Sequence, residues 1–88
     1  MNKEWEEVRL FHEKFSHPVG KQPQMMEKNR AKKRYNWMLE EINEFMEAVE
    51  QQDIVEEADA MIDLIYFALG TLVEMGIRPD ELFEIVQC

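Results

Sequence analysis

The chain has 88 residues, and its 19 Asp and Glu against 10 Lys and Arg give a formal charge of −9. This length supports at most one small domain, and so acidic a protein is poorly suited to binding nucleic acids or anionic membranes. A single cysteine, Cys88, cannot form an internal disulfide, which favours a reducing, cytoplasmic setting. No apolar stretch reaches the roughly 18 residues of a membrane span, whereas 45% hydrophobic residues exclude a disordered acidic tail.

The charges are strongly segregated along the sequence. Residues 1–36 carry nine Lys or Arg and five Glu, a balance of +4. Residues 37–88 carry one Arg and fourteen acids, a balance of −13. This segregation predicts two opposed local fields within one small domain.

Helical periodicity dominates the chain. Apolar residues recur at helical spacing over residues 2–16, which predicts a first amphipathic helix, and the Pro- and Gly-containing segment 17–23 predicts a loop. A second, long helix is predicted from about residue 26 to residue 51, because residues 24–69 contain neither Gly nor Pro.

Capping signals delimit two further helices. Asp53 and Glu56 form a capping-box-like pair at the start of a third helix, which runs to about Glu74 and is closed by Gly76. A short fourth helix starts at Pro79. No strand of convincing length is predicted, so the expected fold is an all-α antiparallel bundle of about four helices.

Asp63 is the unusual residue of the third helix. Residues 61–73 are apolar nearly all round, which predicts a helix enclosed on every side, and Asp63 is their only carboxylate. Burying an isolated carboxylate costs several kcal/mol unless it is paired, protonated or bound to a metal. Asp59 lies one turn earlier and Glu56 about two turns earlier on the same side of the helix. We therefore expect a positive group here, either a metal ion or a cation such as Arg78.

The second helix carries a matching acidic edge. Glu41 and Glu44 project the same way, and Glu41 borders the apolar stripe. If helices two and three pack antiparallel, the two acidic edges face one another and form an all-oxygen cage, whose ligands select Mg²⁺, with Mn²⁺ or Ca²⁺ as substitutes. Taken singly, Glu40, Glu41, Glu44 and Asp59 are each compatible with a solvated helix face, and the capping box alone explains Glu56. The cage would consist of Glu41, Glu44, Asp59 and Asp63, with Glu40 and Glu56 as further candidates.

A basic segment, residues 28–34, leads directly into the acidic part of the second helix. It is either an exposed face that offsets neighbouring acids or a phosphate clamp beside the metal cage. In the second case its cations bind phosphate oxygens that the metals do not reach. The candidate phosphate-binding residues are Arg30, Lys33 and Arg34.

These motifs resemble those of the all-α nucleoside triphosphate pyrophosphohydrolase superfamily. An EExxE motif on one helix, followed by an acidic pair on the next, is typical of that superfamily. More narrowly, the sequence is similar to a MazG-like, phosphoribosyl-ATP-pyrophosphohydrolase-like branch, and the resemblance covers almost the whole chain. The segments that carry it are 11–19, 39–45, 59–66, Gly70 and 75–77.

The resemblance implies a set of metal ligands. In the family, the second and third Glu of EExxE hold Mg²⁺ together with the Glu and Asp of a following ExxD, and the first motif corresponds to Glu41 and Glu44. The second motif is literally Glu56 to Asp59. Alignment of the apolar stretch that follows instead places the family's Asp at Asp63, with Asp59 in place of the Glu. We favour Asp59 and Asp63 and keep Glu56 as a candidate for an additional metal.

The resemblance also implies an activity, the Mg²⁺-dependent cleavage of nucleoside triphosphates between the α and β phosphates. The products are a nucleoside monophosphate and pyrophosphate, and Glu41 or Glu44 would orient the attacking water. The alternative is a non-enzymatic helical module whose acidic face binds a basic partner.

Assembly and the end of the chain give the last predictions. A single chain of four helices cannot enclose a helix that is apolar all round, so we expect a homodimer or a dimer of dimers to complete the bundle. Relatives usually continue with an Asn- and Lys-containing segment that helps to bind the nucleotide. Either that contact is absent here, or the single domain of residues 1–88 is truncated at its C-terminus. The expected partners are a nucleotide substrate and further copies of the chain, without nucleic acid or membrane.

Overall fold

The computed structural model describes the backbone of residues 1–87 and the side chains of residues 1–86. Within these residues it contains four α-helices and no strand, which confirms the predicted all-α class. The helices are α1 (Asn2–Lys14), α2 (Lys28–Glu50), α3 (Ile54–Met75) and α4 (Pro79–Gln87). The predictions that concern the end of the chain at Cys88 lie outside the described residues.

Three of these helices end in the same way, in a left-handed residue that follows the last turn. After α2, Gln52 has a φ of 58°, and its N–H and that of Asp53 donate to carbonyl groups of the last turn at 3.1 and 2.9 Å. Ser16 after α1 and Gly76 after α3 adopt the same conformation, with φ angles of 58° and 69°. Such Schellman caps satisfy carbonyl groups that the end of a helix leaves without an intrahelical partner.

The turn between α2 and α3 is short and well capped. Asp53 begins α3 as predicted, because its Oδ1 atom accepts a hydrogen bond from the backbone N–H of Glu56 at 3.1 Å. The chain reverses here, and the rings of Trp37 and Phe67 stack across the two helices with centroids 5.9 Å apart. The predicted antiparallel packing of α2 and α3 is therefore confirmed.

The chain divides into two compact units. The hairpin unit comprises residues 27–68, and the terminal unit comprises residues 1–26 together with the described chain from Leu69 onward. The terminal unit has its own core, in which Val73 is fully enclosed at 0% exposure. Burial of such a side chain contributes about 1.5–3 kcal/mol. The buried core residues are Trp5, Val8, Leu69 and Val73, with Val19 and Leu72 packed against them.

Within the terminal unit, the loop that follows α1 lies directly against the end of α3. The backbone N–H of Gly20 donates to the carbonyl of Val73 at 2.9 Å. A Cβ atom on Gly20 would stand 2.5 Å from the carbonyl oxygen of Glu74, and one on Gly76 would stand 2.4 Å from that of Gln22. Glycine is therefore required at both positions, because any side chain would force the two backbones apart.

The hairpin unit leaves much of its apolar surface exposed. On α3, Ile62, Ile65 and Tyr66 are 43–62% exposed. Within this unit α2 packs against only one side of α3, so the single chain does not enclose this helix on every side, as the sequence predicted. The assembly expected to complete the enclosure stays a prediction. The apolar stripe of α2 is 39–59% exposed and consists of Tyr35, Leu39, Ile42, Met46 and Val49.

None of the described helices alone is both long and apolar enough to cross a membrane. Only α3 and α4 taken together, across the break between them, reach the required length and hydropathy. The cytoplasmic location, the single-domain organisation and the lack of nucleic-acid or membrane partners stay predictions.

Candidate functional site

Four carboxylates of the hairpin unit share one neighbourhood. Glu40, Glu41 and Glu44 belong to the middle of α2, and Asp63 belongs to the facing part of α3. The negative charges of Glu44, Asp63 and Glu40 all act on Glu41. The predicted meeting of the two acidic edges is thus observed between Glu41 and Asp63.

Glu41 has the most perturbed environment of this group. Its side chain is partly buried, and its Oε2 atom is fully buried with no hydrogen-bond partner among the described residues. Desolvation is the largest of the causes that together raise the pKa of Glu41 from its ordinary value of 4.5 to about 7. The other causes are the carboxyl of Glu44, to which the protonated form of Glu41 can hydrogen-bond, and the negative charges of Glu44, Asp63 and Glu40. A cation bound here would relieve both the desolvation and the repulsion.

Asp63 is exposed, contrary to the prediction that it is buried. It lies on a part of α3 that also exposes Ile62 and Tyr66, at 62% and 43%. A helical wheel shows which residues share a face, but not whether another element covers that face. The buried carboxylate oxygen that calls for a positive partner belongs instead to Glu41.

The two remaining predicted ligands, Asp59 and Glu56, are also exposed and lie towards the start of α3. The backbone N–H of Glu56 is held by the Asp53 cap, which positions this residue in the first turn. Of the three acids predicted on α3, Asp63 is the one whose charge raises the pKa of Glu41.

These carboxylates do not form a finished metal cage. In the part of the chain that the structure describes, no three Asp, Glu, His or Cys side chains converge closely enough to hold a metal ion. Two observations nevertheless fit a hard divalent cation: the donors are all carboxylate oxygens, and Glu41 offers a buried acceptor atom. The residues therefore fit Mg²⁺ in donor chemistry and in charge.

The predicted phosphate-binding residues differ in their surroundings. Lys33 is exposed, as a phosphate ligand should be, and Arg30 is partly buried with its guanidinium 5.2 Å from the ring centroid of Trp37. Arg34 is only 5% exposed, lies 5.2 Å from the same centroid, and donates from Nη1 to the carbonyl of Phe67 at 3.4 Å. The alternative that the basic segment is an exposed face is therefore wrong for Arg34, because its side chain is packed inside the hairpin. Its role in phosphate binding stays a prediction.

The contacts between cations and aromatic rings in the hairpin were missed from the sequence. A signal was present, since Arg30, Arg34 and Trp37 are spaced by four and three residues and so lie on one face of α2.

A family model described as phosphoribosyl-ATP pyrophosphohydrolase matches residues 8–88. The match spans nearly the whole chain and includes every residue of the candidate site. No curated protein matches the sequence significantly. The resemblance inferred from the motifs is thereby confirmed.

Proposed function

Because the chain belongs to the phosphoribosyl-ATP pyrophosphohydrolase family and is thus a hydrolase acting on acid anhydrides, we propose that it cleaves nucleoside triphosphates between the α and β phosphates with the help of Mg²⁺. The products are a nucleoside monophosphate and pyrophosphate. The observation that carries this proposal is the convergence of negative charge on Glu41, whose Oε2 atom is buried. The alternative of a non-enzymatic module that binds a basic partner is disfavoured by the family match.

The metal would be held by the acidic neighbourhood of the hairpin unit. When bound, Mg²⁺ neutralises phosphate oxygens and makes water a stronger acid. The proposed ligands are Glu41, Glu44, Asp59 and Asp63, with Glu40 and Glu56 as further candidates.

Glu41 is the residue best suited to take the proton from the attacking water. Without metal its pKa is about 7, so the carboxyl is partly protonated at neutral pH. A nearby cation would lower this pKa, so that the carboxylate would be ionised and able to accept the proton. Glu44, about one helical turn further along α2, would help to orient the attacking water.

The basic start of α2 supports binding of the outer phosphates. Lys33 is exposed, and Arg30 keeps part of its side chain accessible while its guanidinium lies over Trp37. We assign these two cations to phosphate binding, where charge-assisted hydrogen bonds to phosphate oxygens are strong.

The activity is tested by Mg²⁺-dependent release of pyrophosphate from a panel of standard and modified nucleoside triphosphates and phosphoribosyl-ATP. Glu41→Gln keeps the shape of the side chain but cannot accept the proton, so we expect kcat to fall at least about 100-fold. Glu50→Gln is the matched control, since Glu50 is an exposed acid of the same helix outside the site. Release from none of the substrates, or full turnover by Glu41→Gln, would refute the proposal.

The exposed stripe of α2 supports assembly of the enzyme as a homodimer. Its five residues, defined above, alternate in spacing between four and three, the pattern of helices that pack against one another along a seam. In a two-fold symmetric dimer, the stripe would be buried against the same stripe of a second copy. Burial of these side chains would remove from water an apolar surface that the single chain leaves exposed.

The dimer is tested by light scattering at micromolar concentration. Ile42→Glu places a charge in the middle of the stripe and is expected to give monomers, because a buried unpaired carboxylate opposes association. Leu10→Glu is the control, since Leu10 is similarly exposed, at 53% against 45% for Ile42, but lies on α1. A monomeric wild-type protein would contradict the proposed assembly.

A further inference from the structure

Arg34 is buried although it is charged and lies in a basic segment. It is 5% exposed, whereas the neighbouring Lys32 and Lys33 are both exposed. Burying a guanidinium is unfavourable unless its donors and charge are compensated, and a well-packed apolar residue is often at least as stabilising at such a position. An arginine is therefore expected here only if its planar shape and its N–H donors are used.

The guanidinium of Arg34 contacts both helices of the hairpin. It lies 5.2 Å from the ring centroid of Trp37 on α2, and it donates to the backbone carbonyl of Phe67 on α3 at 3.4 Å. The rings of Trp37 and Phe67 are themselves stacked at 5.9 Å with an interplanar angle of 27°. We call these three residues the arginine clamp. Because its acceptor is a main-chain carbonyl, the clamp holds the backbone of α3 and not only a side chain.

The arginine clamp adjoins the acidic neighbourhood on both helices. Glu41 follows Trp37 by one helical turn, and Asp63 precedes Phe67 by one helical turn. Since α2 and α3 are antiparallel, the aromatic pair and the acidic pair form adjacent layers of the hairpin. A slip of one residue would move α3 by about 1.5 Å along its axis and require a rotation of about 100°, which would carry Asp63 away from Glu41.

We propose that Arg34 is a positioning residue, which fixes the register of α2 against α3 through the arginine clamp and so keeps the carboxylates of Glu41 and Asp63 opposite each other. The consequence for catalysis rests on the proposed function, but the register itself does not. Lysine cannot replace Arg34 in this role, because it has no planar guanidinium to stack on Trp37 while it donates to Phe67.

Three measurements on Arg34→Lys test this role. Ring-to-ring nuclear Overhauser effects between Trp37 and Phe67 report the register, and electron paramagnetic resonance titration with Mn²⁺ reports the arrangement of the carboxylates. Pyrophosphate release with Mg²⁺ reports the consequence for turnover. We expect the ring contact to be lost and the Mn²⁺ dissociation constant to rise at least about tenfold, as when residues that orient metal ligands are changed. Arg34→Met should show the same changes where it folds.

Two controls separate positioning from general destabilisation. Lys32→Met removes a charge from the same turn of α2 but leaves the clamp intact, so it should bind Mn²⁺ as the wild type does. Val73→Ala weakens the core of the terminal unit and should likewise leave the Mn²⁺ affinity unchanged. All proteins are compared at a temperature where circular dichroism shows full helix content.

The proposal is overturned if Arg34→Lys keeps either the contact between Trp37 and Phe67 or the wild-type affinity for Mn²⁺. Retention would mean that the positive charge, and not the guanidinium, is what this position requires. A wild-type protein that releases no pyrophosphate would refute the proposed function, whereas the ring contact and the Mn²⁺ affinity would still decide the role of Arg34.

Discussion

Both units leave large apolar side chains exposed, but among the described residues the enclosed core of large apolar side chains belongs to the terminal unit. Trp5 and Val73 of the terminal unit are 4% and 0% exposed, whereas Ile42 and Ile62 of the hairpin unit are 45% and 62% exposed. The acidic neighbourhood and the basic start of α2 both lie in the hairpin unit. The difference teaches that one unit stabilises itself with an enclosed core, whereas the other leaves exposed the apolar and charged side chains to which we assign the proposed metal, substrate and dimer contacts.

Both units stack an arginine on a tryptophan, but with different partners. In the terminal unit, Arg78 lies 4.4 Å from the ring centroid of Trp5 and forms an ion pair with Glu6 at 3.3 Å, and its side chain is 57% exposed. Such an exposed arrangement is screened by solvent and stabilises the protein only weakly. In the hairpin unit, the stacked Arg34 is buried and donates to a backbone carbonyl of the facing helix. The stack of Arg34 on Trp37 therefore constrains the packing of α2 against α3, whereas the stack of Arg78 on Trp5 has little influence on the terminal unit.

The largest expected effect comes from the core of the terminal unit. Trp5→Ala should lower the free energy of unfolding by about 3–5 kcal/mol, because it removes a large buried side chain and leaves a cavity. Ile62→Ala in the hairpin unit should change it by about 0.5 kcal/mol or less at concentrations where the chain is monomeric. Urea denaturation followed by circular dichroism measures both. Equal losses of unfolding free energy in the two variants would contradict this difference between the units.

A smaller effect distinguishes the acids of α3. Asp63→Asn should lower Mg²⁺-dependent pyrophosphate release at least about tenfold, because Asp63 is the acid of α3 whose charge acts on Glu41. Glu56→Gln should have the weaker effect, since Glu56 lies in the first turn of α3 beside the Asp53 cap. Steady-state kinetics of the two variants decide between the two alignments of the second motif. A larger loss in Glu56→Gln would favour the literal ExxD.

The smallest effect is a pH dependence of stability that arises in the hairpin unit. Folding raises the pKa of Glu41 from 4.5 to about 7, so the folded state binds the proton more tightly than the unfolded state does. Its contribution to stability is fully present below about pH 4.5 and is lost as the pH rises through about 7. The metal-free protein should therefore melt at a lower temperature at pH 8 than at pH 5.

Thermal denaturation in the presence of a chelator measures this dependence. Glu41→Gln should reduce it, because the amide does not titrate, and added Mg²⁺ should raise the melting temperature of the wild type at pH 8. If the melting temperature of the wild type and that of Glu41→Gln depended on pH in the same way, the raised pKa of Glu41 would not contribute to stability.

The fold was predictable because its boundaries are set by local signals. Asp53 caps α3 as its position after a long helix predicted, and Gly76 closes the same helix in a left-handed conformation. Pro79 begins α4 as expected. Each of these residues acts on the backbone within a few positions, so its effect can be predicted from the sequence alone.

The site was only partly predictable because burial depends on partners that are distant in the sequence. Helical spacing correctly placed Glu41 at the border of the apolar stripe. It could not show that α3 exposes Asp63, or that Arg34 is enclosed by a ring stack between Trp37 and Phe67, which come from different helices. A run of basic residues predicts exposure on average, and Arg34 departs from that average through a tertiary contact.

The contact between the loop after α1 and the end of α3 has a consequence for the order of folding. The side-chain amide of Gln24 donates to the carbonyl of Glu74 at 3.3 Å, which joins residues 50 positions apart. Closing so long a flexible loop costs about 3.5 kcal/mol of chain entropy, whereas α2 and α3 are joined by a short turn. We therefore expect the hairpin to form first, which shortens the span that the terminal unit must close. The core around Val73 would then form after the unit in which fewer large apolar side chains are buried.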